Sequence, residues 1–311
     1  MLLADNIMLL DLPNELLLAV AQHIQRASDI NSLSQATKQL HAVLSPFLYR
    51  DNIRRHGASA LIWAASYGYD RTVELMISYG ADVNTRDKYG VTAIIEAIRH
   101  GHTNVVQLLL KNRADLYAEG QFYGPALHEA AREGYEDLVQ LLLDNKAKVN
   151  HQGGEHGSAL QAAVYAGWTD IVQLLLDNGA NVSAPGYYDS ALVLAAVVGY
   201  EDIVRVLLAN GVDINAQDET YGTALQAAAC EGQGKIVQIL LDRNADINAC
   251  GGYYGTALQA ACAEGHMDIA KILLEKGAKV FLEGGEYGTV LAAAINNGNE
   301  EIVQLVRGHM S

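Results

Sequence analysis

Proline, phenylalanine and tryptophan are rare in this chain of 311 residues, which contains four, three and two of them. Scarce proline together with 50% apolar residues argues against a disordered chain, because disordered chains are poor in apolar side chains. No apolar run approaches the roughly 20 residues that a membrane-spanning helix needs. The composition therefore predicts an ordered protein without a membrane span.

Basic residues are absent before the apolar stretch at the start of the chain, and Asp5 and Asp11 lie within that stretch. A secretory signal has the opposite arrangement, a basic start followed by uninterrupted apolar residues. The cysteines, Cys230, Cys250 and Cys262, are odd in number and lack the spacing of zinc ligands. We therefore expect a cytoplasmic or nuclear protein with no disulfide, no metal and no cofactor.

The net charge of -15 is unevenly distributed along the chain. Residues 1–56 hold five acidic and five basic side chains, so the remainder holds 31 acidic and 16 basic ones. An acidic surface repels phosphate groups, which makes nucleic acid and anionic membranes poor partners and favours a basic protein surface. The charge alone leaves open whether the acidity selects a target or only maintains solubility.

Glycine recurs with one period along most of the chain. The recurring glycines lie 33, 33, 33, 32, 33, 33 and 33 residues apart, at Gly68, Gly101, Gly134, Gly167, Gly199, Gly232, Gly265 and Gly298. Each follows a short apolar segment and precedes a second one, such as the Ile171–Leu176 run. This pattern predicts a repeated unit of helix, glycine turn, helix and loop, for which the fold is an all-α solenoid.

The two helices of each unit have different apolar faces. The first carries small pairs such as Ala130-Ala131, which allow neighbouring helices to approach closely, and the second carries a Val/Ile-x-x-Leu-Leu stripe. A single unit cannot cover both faces, so neighbouring units must stack. We place the repeats near 59–84, 92–117, 125–150, 158–183, 190–215, 223–248, 256–281 and 289–307, within a domain of residues 59–311.

Short segments of three kinds recur at the predicted start of the first helices and resemble an element of a known repeat family. Gly90–Ile94, Ala126–Ala131 and the Tyr-Gly-Thr-Ala-Leu-Gln-Ala-Ala strings at 221–228 and 254–261 resemble the ankyrin Thr-Pro-Leu-His-x-Ala-Ala element. The resemblance covers about four-fifths of the chain and implies a non-catalytic, protein-binding solenoid. Ala mostly replaces the proline of that element and Gln often replaces its histidine, a variant that resembles fungal ankyrin proteins.

Residues 9–50 do not follow the repeat and predict three short helices. Leu12-Pro13-Asn14-Glu15 begins the first helix, with proline in its first turn, and the third ends before Pro46. The Leu-Pro-x-Glu-Leu start and the Pro-x-Leu-Tyr-Arg exit resemble an F-box, which binds the Skp-type adaptor of cullin-RING ubiquitin ligases. Residues 51–58 are a short linker without a Pro/Gly/Ser-rich stretch, for which we expect a rigid connection.

The F-box resemblance implies a set of adaptor-binding residues and a function. The residues are Leu12, Pro13, Leu16, Ile24, Leu33, Leu40, Leu44 and Leu48. The implied function is the substrate-recognition subunit of an SCF-type ubiquitin ligase, with catalysis on other subunits. The alternative is an ankyrin scaffold or regulator in which these helices only cap the solenoid.

The ankyrin resemblance also implies where a protein target binds, on a concave face formed by loop tips and exposed positions of the first helices. In the middle of the array these positions are apolar or aromatic where water is expected, and this predicts an interaction site. The predicted target-binding residues are Tyr165, Trp168, Tyr187, Tyr188, Leu194, Val197 and Val198. The alternative is that Val197 and Val198 only thicken the contact between two repeats.

An aromatic column recurs once per repeat in the loops, at Tyr123, His156, Tyr188, Tyr221, Tyr254 and Tyr287. Stacking of adjacent loops explains it as well as ligand contact does. His128-Glu129 begins like a zinc-protease helix but lacks the second histidine, and no phosphate-binding loop or nucleophile motif appears. The sequence therefore predicts no enzyme activity.

Overall fold

The computed structural model describes residues 58–183 and 190–310, which contain sixteen helices in eight helix-turn-helix pairs. The first helices of the pairs are α1 (Ala58–Ser66), α3 (Ala93–Arg99), α5 (Ala126–Glu133), α7 (Ala159–Ala166), α9 (Ala191–Val198), α11 (Ala224–Cys230), α13 (Ala257–Glu264) and α15 (Val290–Asn297). The second helices are α2 (Asp70–Ser78), α4 (Thr103–Lys111), α6 (Glu136–Asp144), α8 (Thr169–Asp177), α10 (Glu201–Ala209), α12 (Gly234–Asp242), α14 (Met267–Glu275) and α16 (Glu300–Gly308). None of the helices in this part of the chain has the length and apolar character to cross a membrane.

The loop that precedes the last pair forms a small hairpin. Strand β1 (Glu283–Gly284) pairs antiparallel with β2 (Gly288–Thr289), with Glu283 opposite Thr289. Isolated bridges join Asp218 to Gly222 and Gly251 to Gly255 at the same place in the two preceding loops. The solenoid is therefore helical apart from these short ladders.

The glycine in the turn inside each pair has a positive φ, and at Gly167 two reasons for glycine are visible. Gly167 ends α7 with a φ of 83°, in the left-handed region that disfavours residues with a Cβ atom. A Cβ atom at this position would also lie 2.7 Å from the ring of Tyr200, which belongs to the next repeat. Gly167 thus reverses the chain and admits a ring from the neighbouring unit, and rings of His102, Tyr135, Trp168 and His266 lie similarly close to Gly68, Gly101, Gly134 and Gly232.

Small residues hold the first helices side by side. Ala130, Ala131 and Ala163 are fully buried where α5 packs against α7. The second helices bury their Leu stripe, with Leu142 and Leu175 also at zero exposure. One apolar core runs through all eight described pairs, so the predicted all-α ankyrin-type solenoid is confirmed.

Glutamine side chains link successive repeats through buried hydrogen bonds. Oε1 of Gln259 accepts from the N–H of Thr256, the N-cap of α13, at 2.8 Å, and the Thr256 hydroxyl accepts from the Gln259 N–H in return. Nε2 of Gln259 donates to the carbonyls of Gly284 and Gly288 in the next loop, at 2.9 and 3.1 Å. One side chain therefore caps its own helix and fastens the following hairpin.

Asparagine side chains make a second link at the base of the loops. Oδ1 of Asn215 accepts from the N–H of Asp246 at 2.9 Å, and Oδ1 of Asn248 accepts from the N–H of Lys279 at 2.9 Å. Each bond spans 31 residues, from the loop of one repeat to the loop of the next, and the second bond repeats the first one repeat later. The loops are consequently ordered by their neighbours as well as by their own turns.

Replacing Gln259 by Leu tests the glutamine link. The change removes the bonds of Gln259 to two partly buried carbonyls and one buried N–H, so we expect the free energy of unfolding to fall by about 3 kcal/mol. The matched control is Gln140→Leu, because exposed Gln140 bonds only to Asp144 of its own helix, and its effect should stay within about 0.5 kcal/mol. Urea denaturation followed by circular dichroism measures both, and equal stability of the two variants would contradict the prediction.

Candidate protein-interaction surface

The loops and the first helices form one face of the solenoid, which we call the front surface. Its first helices lie side by side, and the C-terminal turn of each helix carries the side chains that are free to reach solvent. The predicted adaptor-binding residues lie outside the described residues. They are Leu12, Pro13, Leu16, Ile24, Leu33, Leu40, Leu44 and Leu48.

The middle of the front surface presents one aromatic and one aliphatic side chain on adjacent repeats. Tyr165, on α7, is 49% exposed, and Val198, at the end of α9, is 40% exposed. The ring of Tyr165 stacks on His156 of the loop before it, with ring centroids 4.4 Å apart and planes inclined by 27°. Val197 is half-buried and packs on the core. The structure thus places Tyr165 and Val198 where a partner could reach them.

The prediction that Leu194 is exposed, and so available to a target, is wrong. Its side chain is only 2% exposed. The equivalent positions of the two neighbouring repeats, Ala162 and Ala227, are buried as well, since α7, α9 and α11 pack side by side along this line. Leu194 therefore belongs to the contact between first helices and presents little surface to a partner.

Trp168 is tied into the solenoid despite an exposed fraction of 44%. Its indole N–H donates to the carbonyl of Arg132 in the preceding repeat, at 3.0 Å. Its ring also covers Gly134, where an added Cβ atom would collide with it. Trp168 joins two repeats in addition to showing one ring edge to solvent. The predicted neighbours Tyr187 and Tyr188 lie outside the described residues.

The same contact recurs at other turns with a different ring. Nε2 of His102 bonds to the carbonyl of Ser66 at 3.0 Å, and Nε2 of His266 bonds to the carbonyl of Cys230 at 2.8 Å. In each case the residue after a turn glycine reaches the first helix of the preceding repeat. Burial of the polar end of that helix is thereby compensated by a hydrogen bond.

The aromatic column in the loops packs back onto the first helices. The guanidinium of Arg99 lies over the ring of Tyr123, at 4.2 Å from its centroid. The hydroxyl of Tyr221 donates to Glu231 at 3.2 Å, and that of Tyr254 donates to Glu264. These contacts favour the structural account of the column, in which each described ring orders the front surface.

Two exposed aromatic features were not singled out by the sequence pattern. Trp63, Tyr67 and Tyr69 form a cluster on the first described repeat, with ring centroids 5.1 to 5.9 Å apart. Phe122 and Tyr253, at two loop tips, are 65% and 50% exposed. The sequence could have indicated Phe122 and Tyr253 by their position, because each directly precedes a member of the aromatic column.

Charged side chains neutralise one another on the front surface of the third repeat. Glu129 is buried and accepts from Arg132 at 2.8 Å, and the same nitrogen of Arg132 bonds to Glu133 at 2.6 Å. Burial by itself would lower the pKa of Arg132, but its bonds to Glu129 and the nearby Glu133 raise it above its usual range. Oε1 of Glu129 also accepts from the N–H of Gly124, which fixes the loop above the helix.

His128, beside this network, is a buried side chain with a nitrogen atom that is unsatisfied among the described residues. It occupies the position of Gln226 and Gln259, whose oxygens accept from the N–H of the N-cap residue. In this repeat the N-cap is Pro125, which has no N–H, and Nδ1 of His128 finds no hydrogen-bond partner in the described part of the chain. Burial lowers the pKa of His128 from 6.5 to about 4, although interactions with the backbone of Gly157 and of His151 act in the opposite direction.

A comparison with protein-family models matches the chain to ankyrin repeats. The matches cover residues 24–120, 127–218, 190–251 and 225–310. The first match begins inside the segment of residues 9–50 that resembles an F-box. A comparison with curated proteins returned no match.

The lowered pKa of His128 predicts acid sensitivity. The unfolded chain binds a proton at His128 below about pH 6.5, whereas the folded chain does so only near pH 4, so stability must fall as the pH drops through this window. The shift corresponds to about 3 kcal/mol. We expect the wild-type chain to lose that much more stability between pH 7 and pH 4 than His128→Gln, in urea titrations.

The control for this experiment is His309→Gln, which removes an exposed histidine from the last repeat. It should lose stability on acidification as the wild type does. A pH dependence that is the same with and without His128 would contradict the assignment.

Proposed function

The chain belongs to the ankyrin-repeat family, and on this premise we propose that it binds another protein in the cytoplasm or nucleus through its front surface. Ankyrin repeats are a protein-protein interaction module. The observation that carries the proposal is the pair of exposed side chains, Tyr165 and Val198, on adjacent first helices in the middle of the array. Binding requires no chemistry from the chain itself.

The physical properties of this pair favour binding. Tyrosine contributes large contact area and ranks among the residues that dominate interface energies. The stacking of Tyr165 on His156 holds the ring before a partner arrives, so less side-chain entropy is lost on association. The first helices beneath are fixed by fully buried alanines, including Ala162 and Ala195, which gives the site a rigid base.

The test is comparative affinity capture from the cell that expresses the protein. The Tyr165→Ala/Val198→Ser chain should retain at least tenfold less of the specific target than the wild type, since losing an aromatic anchor costs about 1.4 kcal/mol or more. The control is Ile295→Ala/Met310→Ala, which removes two exposed apolar side chains from the last repeat. Target recovery that is unchanged by the central variant would contradict this site.

A more specific role is proposed from the N-terminal sequence. The Leu12-Pro13 start and the Pro46–Arg50 exit support docking of an Skp-type adaptor, with the front surface presenting a target for ubiquitination. The short linker of residues 51–58 supports the same role, because a ligase receptor must hold its target at a fixed distance from the catalytic subunits. Catalysis would then belong entirely to those subunits.

One observation favours a second candidate, an ankyrin scaffold or regulator with no ligase role. The ankyrin-repeat match begins at residue 24, so about two-thirds of the F-box-like segment of residues 9–50 also resembles the repeat array. Under this alternative the N-terminal helices cap the solenoid, and Leu12 and Pro13 pack against the first repeat.

Co-purification with an Skp-type adaptor by size exclusion distinguishes the two. If Leu12 and Pro13 are interface anchors, each truncation should cost about 1 to 3 kcal/mol, which suffices for Leu12→Ala/Pro13→Ala to abolish a micromolar complex. Circular dichroism of the variant confirms that the chain still folds. Failure of the folded wild-type chain to bind the adaptor would exclude the ligase role and leave the scaffold.

A further inference from the structure

Charge is distributed unequally between the two halves of the front surface. The front segments of repeats six to eight, residues 213–231, 246–264 and 279–297, contain eight carboxylates and a single cation, Lys279. The equivalent segments of repeats two to four, residues 82–100, 115–133 and 148–166, contain eight carboxylates and five Lys or Arg residues. Only the second half therefore presents a strongly negative face.

The rest of repeats six to eight does not share this excess. The second helices and turns of repeats six to eight, residues 232–245, 265–278 and 298–310, carry five acidic and five basic side chains. Ion pairs link second helices of adjacent repeats, with Lys235 at 3.1 Å from Glu201 of repeat five and Lys276 at 3.9 Å from Asp242 of repeat six. The excess of negative charge in these repeats thus lies on the front surface, which is the proposed binding face.

The front carboxylates of these repeats are not neutralised internally. In repeats two and three the front carboxylates of Glu96 and Glu129 are paired with Arg99 and Arg132, each at 2.8 Å. Within residues 190–310, no Lys or Arg side chain forms such a pair with any front carboxylate of repeats six to eight. Seven of the eight are exposed, and only Asp218 is buried, where it caps its loop.

Two of these carboxylates are held in place by tyrosine. Tyr221 donates to Oε1 of Glu231, and Tyr254 makes the same bond to Glu264 one repeat later. Burial raises the pKa of Tyr254, and the bond to Glu264 raises it further, so the phenol remains a donor at neutral pH. A phenol that donates orients the carboxylate and leaves its negative charge in place.

The surface around them is aromatic as well as acidic. The ring of Tyr253 meets that of Tyr254 edge to face, with centroids 5.0 Å apart, and Tyr287 lies 6.4 Å beyond Tyr254. Tyr253 is half exposed. Carboxylates beside aromatic rings suit lysine and arginine, which form charge-assisted hydrogen bonds with the former and cation–π contacts with the latter.

The spacing of the repeats adds a condition on the partner. Packed helices lie about 8 to 10 Å apart, and an extended chain advances about 3.3 Å per residue, so equivalent positions on adjacent first helices match every third residue of an extended segment. We propose that the front surface of repeats six to eight binds an extended segment of a partner protein with a lysine or arginine at about every third position. Glu231 and Glu264 each receive one basic side chain, and the proposal rests on the front surface being the binding face.

The experiment measures binding of two fluorescein-labelled peptides to the full-length chain by fluorescence anisotropy. One is a repeat of Arg-Gly-Ser, which places arginine at every third position, and the other has the same composition with its arginines in one block. The test variant is Glu231→Gln/Glu264→Gln, whose amide oxygens can still accept from the tyrosines. The control is Glu275→Gln/Glu301→Gln, which removes the same charge from exposed positions of α14 and α16.

We expect the Arg-Gly-Ser peptide to bind the test variant about tenfold more weakly than the wild type, because the variant loses two exposed ion pairs with the peptide. The control should change its affinity less than about twofold. The block peptide should bind the wild-type chain more weakly than the spaced peptide does.

Equal losses in the test and control variants would show that affinity follows net charge alone and would overturn the proposal. So would the absence of binding to the wild-type chain at low ionic strength, or equal binding of the two peptides. If any of these results is obtained while target capture still depends on Tyr165 and Val198, only the inference about a basic segment is wrong. Target capture that is indifferent to those two residues would remove the proposed function itself.

Discussion

The dependence of every repeat on its neighbours governs this structure. The alanine faces of the first helices are covered only by the adjacent first helices, and polar groups are satisfied across the same boundary. Gln259 donates hydrogen bonds to two carbonyls of the next loop, while the indole N–H of Trp168 donates to a carbonyl at the end of the first helix of the preceding repeat. A repeat removed from the array would expose apolar surface and lose hydrogen bonds at the same time. The folded state of each repeat therefore depends on the repeats beside it.

This packing also decides which positions are left for recognition. The inner turns of the first helices pack through alanine contacts, and rings that follow turn glycines, such as those of His102, Trp168 and His266, bond to the preceding repeat. What remains is the last turn of each first helix and the tip of each loop, where Tyr165, Val198, Glu231 and Glu264 lie. Because these positions contribute little to the core, they can differ between repeats at small cost in stability.

The solenoid could be predicted from the sequence because its causes are local: a glycine period, alanine pairs and a Leu stripe recur within each unit. The burial of Leu194 could not, since a helical pattern defines a face of one helix but not how closely the next helix covers it. The contact of Trp168 with Arg132 spans 36 residues, and the bond of Tyr254 to Glu264 depends on how the loop folds back. These details require the three-dimensional packing.

The two halves of the front surface differ in the hydrogen bonds that join the start of each first helix to the adjacent loops, which we call the junctions between repeats. At the third repeat Pro125 removes the N–H that its neighbour His128 would need, and a buried carboxylate requires Arg132 beside it. In repeats six and seven a Thr and Gln box satisfies the helix end and the next loop with neutral groups. Neutral junctions leave no need for a basic residue on the front. The acidic side chains there can therefore remain unpaired and exposed, and their mutual repulsion is limited by water and salt at the surface.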